Sequence, residues 1–340
     1  MRLLFITQKL HGQDAFGIQW IEAFQARGYE VEVVCLEWRK EEALAALGRS
    51  DLALSVHSLG KESGARKFGQ VLRFIGLTWS LRYDRVFIHM APVWGLLGAP
   101  AFILRRKPTY LWYTHYKMQA GLWLLGLYAK RLFCATPQSM PQYARSPKRV
   151  VVGHGIDLTY WPKRQNIANN PHQLLVIHRL SRSKRLELVI RALTLLPVSY
   201  TLDVYGIEAE PDYVAELRVL VDVLKLADRV TFHGTVASKD LPALYTTHRL
   251  ILNMASETID KTMLEAMTCG CYPVTTKANA TAIGITDAPA TDASEDIAAF
   301  VLAHETSLPL TADEMYLVVS ERHSLSALIE KMDTYISLGD

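Results

Sequence analysis

The sequence has few cysteines and no long hydrophobic run. Of its four cysteines, Cys269 and Cys271 form the one close pair and lack the second pair that a zinc site needs. We therefore expect reduced, packed thiols in a reducing compartment. The longest uncharged stretch, residues 90–104, is interrupted by prolines and glycines and is too short to span a bilayer. The apolar run after Met1 is too short for a signal peptide, which predicts a folded cytoplasmic protein.

Acidic residues are missing from one long interval. No Asp or Glu occurs between Asp84 and Asp157, although this interval carries ten Lys or Arg residues. Residues 1–160 hold 21 Lys or Arg against 11 Asp or Glu, whereas the remainder holds 16 against 23. All seven tryptophans occur by Trp161. The first half is therefore expected to meet an anionic or interfacial partner. We do not expect nucleic acid as a binding partner, because the chain has no recognised nucleic-acid-binding motif.

Strand-like and helix-like segments alternate almost throughout the chain. The predicted strands are residues 2–7, 30–36, 85–90, 108–114 and 148–153 in the first half, and 173–178, 200–206, 229–234, 249–254 and 271–276 in the second. Helical patterns in the second half lie near residues 184–196, 211–226, 238–246 and 262–269. Such alternation is typical of parallel sheets with crossover helices.

Two such sets predict an α/β protein with two doubly wound, Rossmann-like domains. We place the first domain at residues 1–160 and the second at residues 173–320. The polar stretch at residues 161–172 is the predicted linker. The helical segment at residues 321–340 belongs either to the second domain or, packed back, to the first.

Ligands of open parallel sheets bind beyond the carboxyl ends of the strands, so residues there are the candidates for a site. No G-x-G-x-x-G follows the first strand and no Walker-type lysine loop occurs, and the turn with Gly12 and Gly17 is a weak phosphate signal. Arg179 directly follows a predicted strand, and Lys184 lies where a helix begins. Arg supplies a planar fork of donors, Lys a point charge and the helix end a partial positive charge, which together suit a diphosphate. The alternative is a solvated basic face.

The stretch from Ala255 to Thr276 places Glu265 within an otherwise small and apolar helix. Taken alone, Glu265 is interpreted as a surface residue on the outer face of that helix, because Glu is rarely buried without a partner.

Four motifs together resemble the family-4 (group 1) retaining glycosyltransferases of the GT-B fold. They are HGID at residues 154–157, Arg179 with Lys184, FHGTV at residues 232–236, and the pair Glu257 and Glu265 with seven residues between them. The resemblance covers nearly the whole chain. It implies GT-B architecture, with two Rossmann-like domains facing a central cleft. It also implies transfer of a sugar from a nucleotide diphosphate sugar to a hydroxyl acceptor, with retention and without a metal or other cofactor.

The resemblance also implies roles for individual residues. Glu265 would bind the ribose hydroxyls of the donor, because a carboxylate accepts two hydrogen bonds from a vicinal diol. Arg179 and Lys184 would hold the diphosphate and stabilise the charge on the leaving nucleotide. Glu257 would touch the transferred sugar. The remaining matches are His115 beside the reacting sugar, with His89 as the other candidate for that role, and the donor-facing glycines Gly12, Gly17 and Gly234. A structural role is the alternative for either histidine.

The chain departs from the family at two glycine positions. Thr258, Ile259 and Asp260 stand between the two Glu where the family usually has glycines, and Arg185 replaces the glycine after the clamp lysine. Approach of the backbone to the sugar is therefore less free. Asp260 is a candidate substitute for Glu257 as a donor-binding residue.

The acceptor is expected to meet the first half of the chain. Residues 65–107 combine basic and aromatic side chains, including Phe68, Trp79 and Arg105. Such a segment either lies on an anionic membrane leaflet, which indicates a lipid-linked or cell-envelope acceptor, or is a core helix with a solvated basic edge. Two other functions stay open: a sugar-nucleotide epimerase or hydrolase on the same fold, and a catalytically weakened binding subunit.

Overall fold

A computed structural model of the chain describes residues 1–11, 16–114, 120–161, 163, 170–256 and 260–339. The chain divides into two compact units. Unit 1 comprises Met1–Gly155 and Leu325–Asp340, and unit 2 comprises Ile156–Ser324. The sequence analysis placed the corresponding boundaries at residues 160 and 320. Part of the segment interpreted as a linker is a strand that begins at Asn170, whose first, polar positions are less buried than its apolar end.

Unit 1 is built on a seven-stranded parallel sheet. Its strands are β1 (Arg2–Leu10), β2 (Glu30–Trp38), β3 (Ser55–Ser58), β4 (Arg85–His89), β5 (Thr109–Trp112), β6 (Arg131–Cys134) and β7 (Arg149–Val151). Its first helices are α1 (Phe16–Ala26), α2 (Lys40–Leu47), α3 (Lys67–Ser80), α4 (Pro92–Leu104) and α5 (Ala120–Tyr128). The strand order is β3-β2-β1-β4-β5-β6-β7, and the neighbouring strands pair in parallel.

Unit 2 is built on a five-stranded parallel sheet. Its strands are β8 (Asn170–Ile177), β9 (Thr201–Tyr205), β10 (Val230–Gly234), β11 (His248–Asn253) and β12 (Tyr272–Thr275). Its helices are α6 (Leu186–Leu193), α7 (Pro211–Val223), α8 (Leu241–Thr247), α9 (Lys261–Thr268), α10 (Lys277–Ile283), α11 (Ser294–Ala303) and α12 (Ala312–Arg322). The strand order is β10-β9-β8-β11-β12.

These two sheets confirm the prediction of an α/β protein with two doubly wound units. All ten predicted strands are present. The central strands are apolar and buried on both faces, as Leu3 to Ile6 of β1 show, which is the pattern of a sheet covered by helices on both sides. Strands β3 and β6 were not predicted. The four residues of β6 follow α5 without a glycine or proline, so the sequence there continues the helical pattern.

The four cysteines are buried thiols and not disulfides, as predicted. Burial raises the pKa of Cys35 to about 12 and that of Cys134 to about 11, so both remain protonated. Within the described residues, none of the helices has the length and apolar character needed to cross a bilayer.

The last helix, α13 (Leu325–Ile336), belongs to unit 1 although it follows unit 2 in the chain. Its apolar side chains Leu328, Ile329, Met332 and Ile336 are at most 1% exposed and lie in the same core cluster as Trp20 and Phe24. Polar contacts reinforce this packing. Tyr29 donates a hydrogen bond to Asp333, and Arg85 Nε donates one to the carbonyl oxygen of Ile336 at 3.1 Å.

We expect Leu328→Ala to destabilise unit 1, because it opens a cavity where α13 enters the core. The free energy of unfolding should fall by about 2 to 5 kcal/mol. Leu338→Ala is the matched control, since Leu338 is 74% exposed, and its effect should stay within about 0.5 kcal/mol. Thermal and urea unfolding of both variants measure this difference. If both variants lower the free energy of unfolding by the same amount, α13 is not part of the core.

Candidate functional site

The strand order of unit 2 creates a crevice at the carboxyl ends of β8 and β11. The chain leaves β8 toward β9 on one side and returns as β11 on the other, so the two crossovers diverge at this point. Such switch points are where doubly wound sheets bind ligands. Arg179 and Lys184 follow β8, and Asp260 and Glu265 follow β11. The topology thus brings together two segments that are about 75 residues apart in the sequence.

Lys184 and Asp260 form a buried ion pair. Lys184 Nζ lies 2.5 Å from Asp260 Oδ1 and 2.6 Å from Asp260 Oδ2, and the Lys184 side chain is only 5% exposed. Asn253, the last residue of β11 and fully buried, donates a hydrogen bond from Nδ2 to Asp260 Oδ2 at 2.6 Å. Burial of an ammonium requires such a partner, because the desolvation of an unpaired charge costs several kcal/mol. Asp260 therefore binds Lys184 and Asn253 in this structure.

The four basic residues after β8 differ in their contacts. Arg179 is exposed, and its guanidinium has no carboxylate partner among the described residues. Arg182 instead donates a hydrogen bond to Glu216 Oε2 at 2.8 Å and stacks over the Tyr213 ring. A uniform solvated basic face does not describe this segment, because each cation has a different environment. Among the four, and with respect to the described residues, Arg179 is the cation without a carboxylate partner.

Arg185 holds the loop after β8 against the loop after β11. It has a positive φ of 52°, a conformation that favours glycine. Its Nε donates a hydrogen bond to the Met254 carbonyl oxygen at 2.7 Å, and its guanidinium pairs with Asp292 at 2.8 Å. These contacts offset the backbone strain of the left-handed conformation.

His178 directly follows β8, is buried, and forms a hydrogen bond with the backbone of Arg179. Its Nδ1 lies 3.0 Å from the Arg179 carbonyl oxygen, so Nδ1 carries the proton and donates it to that oxygen. Burial lowers the pKa of His178 to about 4, with Lys184 nearby adding to the shift, so the imidazole is neutral. Gly206, after β9, packs directly on this turn. A Cβ atom at Gly206 would lie 1.8 Å from the His178 carbonyl oxygen, which only glycine avoids.

Glu265 lies on α9 and is partly buried, not on an outer face as the residue taken alone suggested. The Tyr245 hydroxyl donates a hydrogen bond to Glu265 Oε2 at 3.4 Å. Burial raises the pKa of Glu265 to about 7, an effect that Lys261, one turn earlier, and the Tyr245 hydroxyl partly oppose. Burial also lowers the pKa of Lys261 to about 8. The Tyr160 hydroxyl is buried, and its pKa is raised by burial and by the charge of Glu265.

Other residues singled out by the sequence lie elsewhere in the structure. Gly234 ends β10, at the edge of the sheet, with a φ of 76° and open space at its Cβ position. Gly17 lies in the first turn of α1, where a Cβ atom would be 2.9 Å from Leu10 Cδ2, so close packing accounts for the glycine. His89 ends β4, is buried, and stacks parallel to Trp112 with ring centroids 5.0 Å apart. Gly12, His115 and Glu257 lie outside the described residues.

The sequence analysis missed several polar residues of this site. They are Asn253, His178, Tyr245 and Lys261. Two of them carry a signal that the sequence does contain: Asn253 and His178 are polar residues at the carboxyl ends of buried apolar strands. Tyr245 carries no such signal, because its contact with Glu265 joins two different helices.

Metal ligation is not evident in the described part of the chain, where three or more His, Cys, Asp or Glu side chains nowhere form a group that could hold a metal ion. The described part of the site consists of cations, the two partly buried carboxyl groups of Asp260 and Glu265, and hydroxyl donors.

Solved structures of glycosyltransferases share this architecture. Anabaena Alr3699/HepE, solved in complex with UDP-glucose, matches with a TM-score of 0.76 at 21% identity, over 99% of this chain and 100% of that one. A mutant of S. aureus TarM, in complex with fondaparinux, alpha-GlcNAc-glycerol and UDP, matches with a TM-score of 0.77 at 9% identity, over 98% and 99%. The lipopolysaccharide outer core galactosyltransferase WaaB matches with a TM-score of 0.72 at 15% identity, over 99% and 100%. No curated protein matches the chain by sequence.

The fold of the chain is therefore that of the GT-B glycosyltransferases, as the motifs implied. The sequence carries the assignment further within unit 2. Residues 159–288 match the family model of glycosyl transferases group 1, and this stretch includes Arg179, Lys184 and Glu265.

Proposed function

We propose that this chain transfers a sugar from a nucleotide diphosphate sugar to a hydroxyl acceptor, with retention of configuration at the anomeric carbon and without a metal. One observation carries the proposal. Two cations follow β8 and a carboxyl group lies on the helix after β11, at the carboxyl ends of the two neighbouring strands that form the switch point, within the residues that match the model of glycosyl transferases group 1. HepE, which shares the fold, binds UDP-glucose, which makes a UDP-sugar the first donor to examine.

The exposed Arg179 guanidinium is suited to the diphosphate. It offers a planar set of donors that matches phosphate oxygens, and no described carboxylate competes for it. In the proposed reaction the bond between the anomeric carbon and the phosphate oxygen breaks, and a bond to the acceptor oxygen forms. The acceptor proton passes to the leaving diphosphate. Arg179 and Lys184 stabilise the negative charge that builds on that diphosphate.

Glu265 is proposed to bind the ribose of the donor. Its carboxylate is partly buried, and among the described residues its one hydrogen-bond donor is the Tyr245 hydroxyl at 3.4 Å. Its remaining hydrogen-bonding capacity suits a vicinal diol. Glu257 and His115 keep their proposed roles, at the transferred sugar and beside the reacting carbon. Gly12 remains proposed as part of the donor-facing loop, and Gly234 as a turn that bounds the donor site.

Replacing Arg179 by Ala should lower turnover by about 10² to 10³, the usual loss when a preorganised donor to developing charge is removed. Arg182→Ala is the matched control, because Arg182 lies three residues away and is occupied by Glu216. Its turnover should change less than about threefold. Sugar transfer and donor hydrolysis are measured together, so that an epimerase or hydrolase is recognised by donor turnover without an acceptor. Near-normal turnover of the Arg179 variant would refute the diphosphate role.

Donor affinity should rise with pH through the titration of Glu265. The carboxylate accepts two hydroxyl hydrogen bonds, whereas the protonated form accepts fewer, and burial sets the pKa of Glu265 near 7. The diester diphosphate of the donor keeps its charge in this range. We expect a dissociation constant about tenfold weaker near pH 6 than near pH 8. Calorimetry on the Glu265→Gln variant should show weaker donor binding that depends less on pH. The other groups around Glu265, which are Lys261, Asp260, Tyr245 and Tyr160, are the same in both proteins. If the pH dependence of donor affinity is the same in the variant, the titrating group is one of these neighbours and not Glu265.

The acceptor is proposed to be lipid-linked or part of the cell envelope, reached at the cytoplasmic face of a membrane. The described part of residues 65–107 supports this through α3, whose two faces differ. Phe68, Leu72, Ile75 and Trp79 follow one another at helical spacing and are 37% to 73% exposed. Phe74 faces the opposite way, into the core. A solvated edge of a core helix would not expose four large apolar side chains in one stripe.

Neighbouring helices extend this apolar stripe. Helix α4 packs against both α3 and α5. The large apolar side chains exposed on α4 and α5 are Val93, Ile103, Leu104, Trp123, Leu124 and Leu127. Basic residues accompany them: Arg66, Lys67, Arg73, Arg82 and Arg106 are exposed. Between residues 63 and 156 the sequence has one acid, Asp84, and its carboxylate accepts the backbone N–H of Arg2. This combination of apolar and basic groups complements an anionic leaflet.

The chain should sediment with vesicles of phosphatidylglycerol and phosphatidylcholine at low salt, and less with phosphatidylcholine alone. Replacing Phe68 and Trp79 together by Ala should lower the partition coefficient about tenfold or more, because each aromatic side chain loses its apolar contact with the bilayer. Val219→Ala with Val223→Ala is the control, because both residues are exposed on α7 of unit 2. The membrane proposal is wrong if the chain does not bind the phosphatidylglycerol vesicles at low salt, or if the two double variants bind them equally well.

A further inference from the structure

We propose that Asp260 is a fixed counter-ion of Lys184 that weakens binding of the nucleoside diphosphate product more than binding of the nucleotide-sugar donor. The inference rests on the proposed function, because it takes Arg179 and Lys184 as the residues that meet the diphosphate. It concerns a position where the resembling family usually has glycine and this chain has an acid.

The geometry places the Asp260 carboxylate beside any anion that Lys184 binds. Both carboxylate oxygens lie 2.5 to 2.6 Å from Lys184 Nζ. An ammonium has three N–H donors, so one remains for a phosphate oxygen while the carboxylate stays in place. That phosphate oxygen would lie within two hydrogen-bond lengths, about 6 Å, of the carboxylate.

The carboxylate is held there from its other side. Asn253 Nδ2 donates to Asp260 Oδ2 at 2.6 Å, and Asn253 Oδ1 accepts the backbone N–H of Ala255 at 3.1 Å. Asn253 is fully buried, so it cannot follow a moving carboxylate into solvent. The loop that carries Lys184 is fastened as well, through Arg185 and the Met254 carbonyl oxygen. An incoming diphosphate therefore meets a Lys184–Asp260 pair of no net charge, together with the Arg179 guanidinium, which no described carboxylate binds.

A fixed carboxylate discriminates between the two nucleotides by charge. Transfer of the sugar converts a diphosphate diester into a terminal phosphate with a second pKa of about 6, so the product carries about one more negative charge at neutral pH. Two like charges a few ångströms apart repel strongly enough to change binding by about tenfold or more, even with partial screening. Asp260 thus opposes retention of the product, whereas two unpaired cations would favour it.

Asp260→Asn tests this while keeping the shape of the side chain. The dissociation constants of a nucleoside diphosphate and of its sugar derivative are measured by calorimetry on the full chain. The pair used is whichever of the UDP, GDP or ADP pairs best protects the wild type against thermal unfolding. The ratio of product to donor affinity should rise about tenfold in the Asn variant. Lys184→Gln should shift the ratio in the opposite direction, because it leaves the carboxylate without its ammonium.

Asp292→Asn is the matched control, because it removes the carboxylate that pairs with Arg185, the residue next to Lys184, and leaves Asp260 in place. The affinity ratio of this variant should equal that of the wild type. Thermal unfolding of each variant shows whether it is folded, and the Lys184 variant decides the question if the Asp260 variant is not. If the Asp260 and Lys184 variants each lose product affinity and donor affinity to the same extent, the Lys184–Asp260 ion pair has only a structural role and this inference is overturned. Failure of the wild type to bind any of the six nucleotides would instead refute the proposed function, and this inference with it.

Discussion

The buried ammonium of Lys184 constrains the rest of the site. A cation that is 4% exposed keeps its charge only beside a carboxylate, and Asp260 is the carboxylate that reaches it. Because Asp260 precedes α9 directly, the ion pair also links the start of that helix to the loop after β8. Glu265 lies five residues further on, so its position in the crevice follows from the same contact. The cationic and acidic parts of the site are thus one structure.

The site also depends on the strand order of the parallel sheet in unit 2. Strands β8 and β11 are neighbours although three helices and two strands separate them in the sequence, and only this pairing brings Lys184 within reach of Asp260. The close approach of Gly206 to the His178 carbonyl oxygen fixes the turn between β8 and Arg179 from the other neighbour, β9. The site therefore depends on three adjacent strands, β9, β8 and β11. His178 and Gly206, which directly follow β8 and β9, pack against each other, and Asn253, the last residue of β11, binds Asp260.

The sequence predicted the fold well because its central strands are buried apolar runs, such as residues 173–178, that alternate with amphipathic helices. It failed at β6, where four residues follow a helix without a turn residue. It also identified Arg179 and Lys184 as basic residues beyond strand β8, whereas the family resemblance singled out Asp260 and Glu265. It could not predict that Lys184 binds Asp260, because that contact depends on strand pairing across 76 residues and on side-chain reach, and neither leaves a local pattern.

The two departures from the family's glycines are physically related. Arg185 adopts a left-handed backbone conformation that glycine would adopt without strain, and its side chain reaches the Met254 carbonyl oxygen after β11. Asp260, on the β11 side, reaches back to Lys184 after β8. Each replacement thus adds a side-chain contact across the same two loops. A site with glycines would let the loops adjust to the donor, whereas these contacts hold them in place before the donor arrives, so less ordering remains to oppose binding.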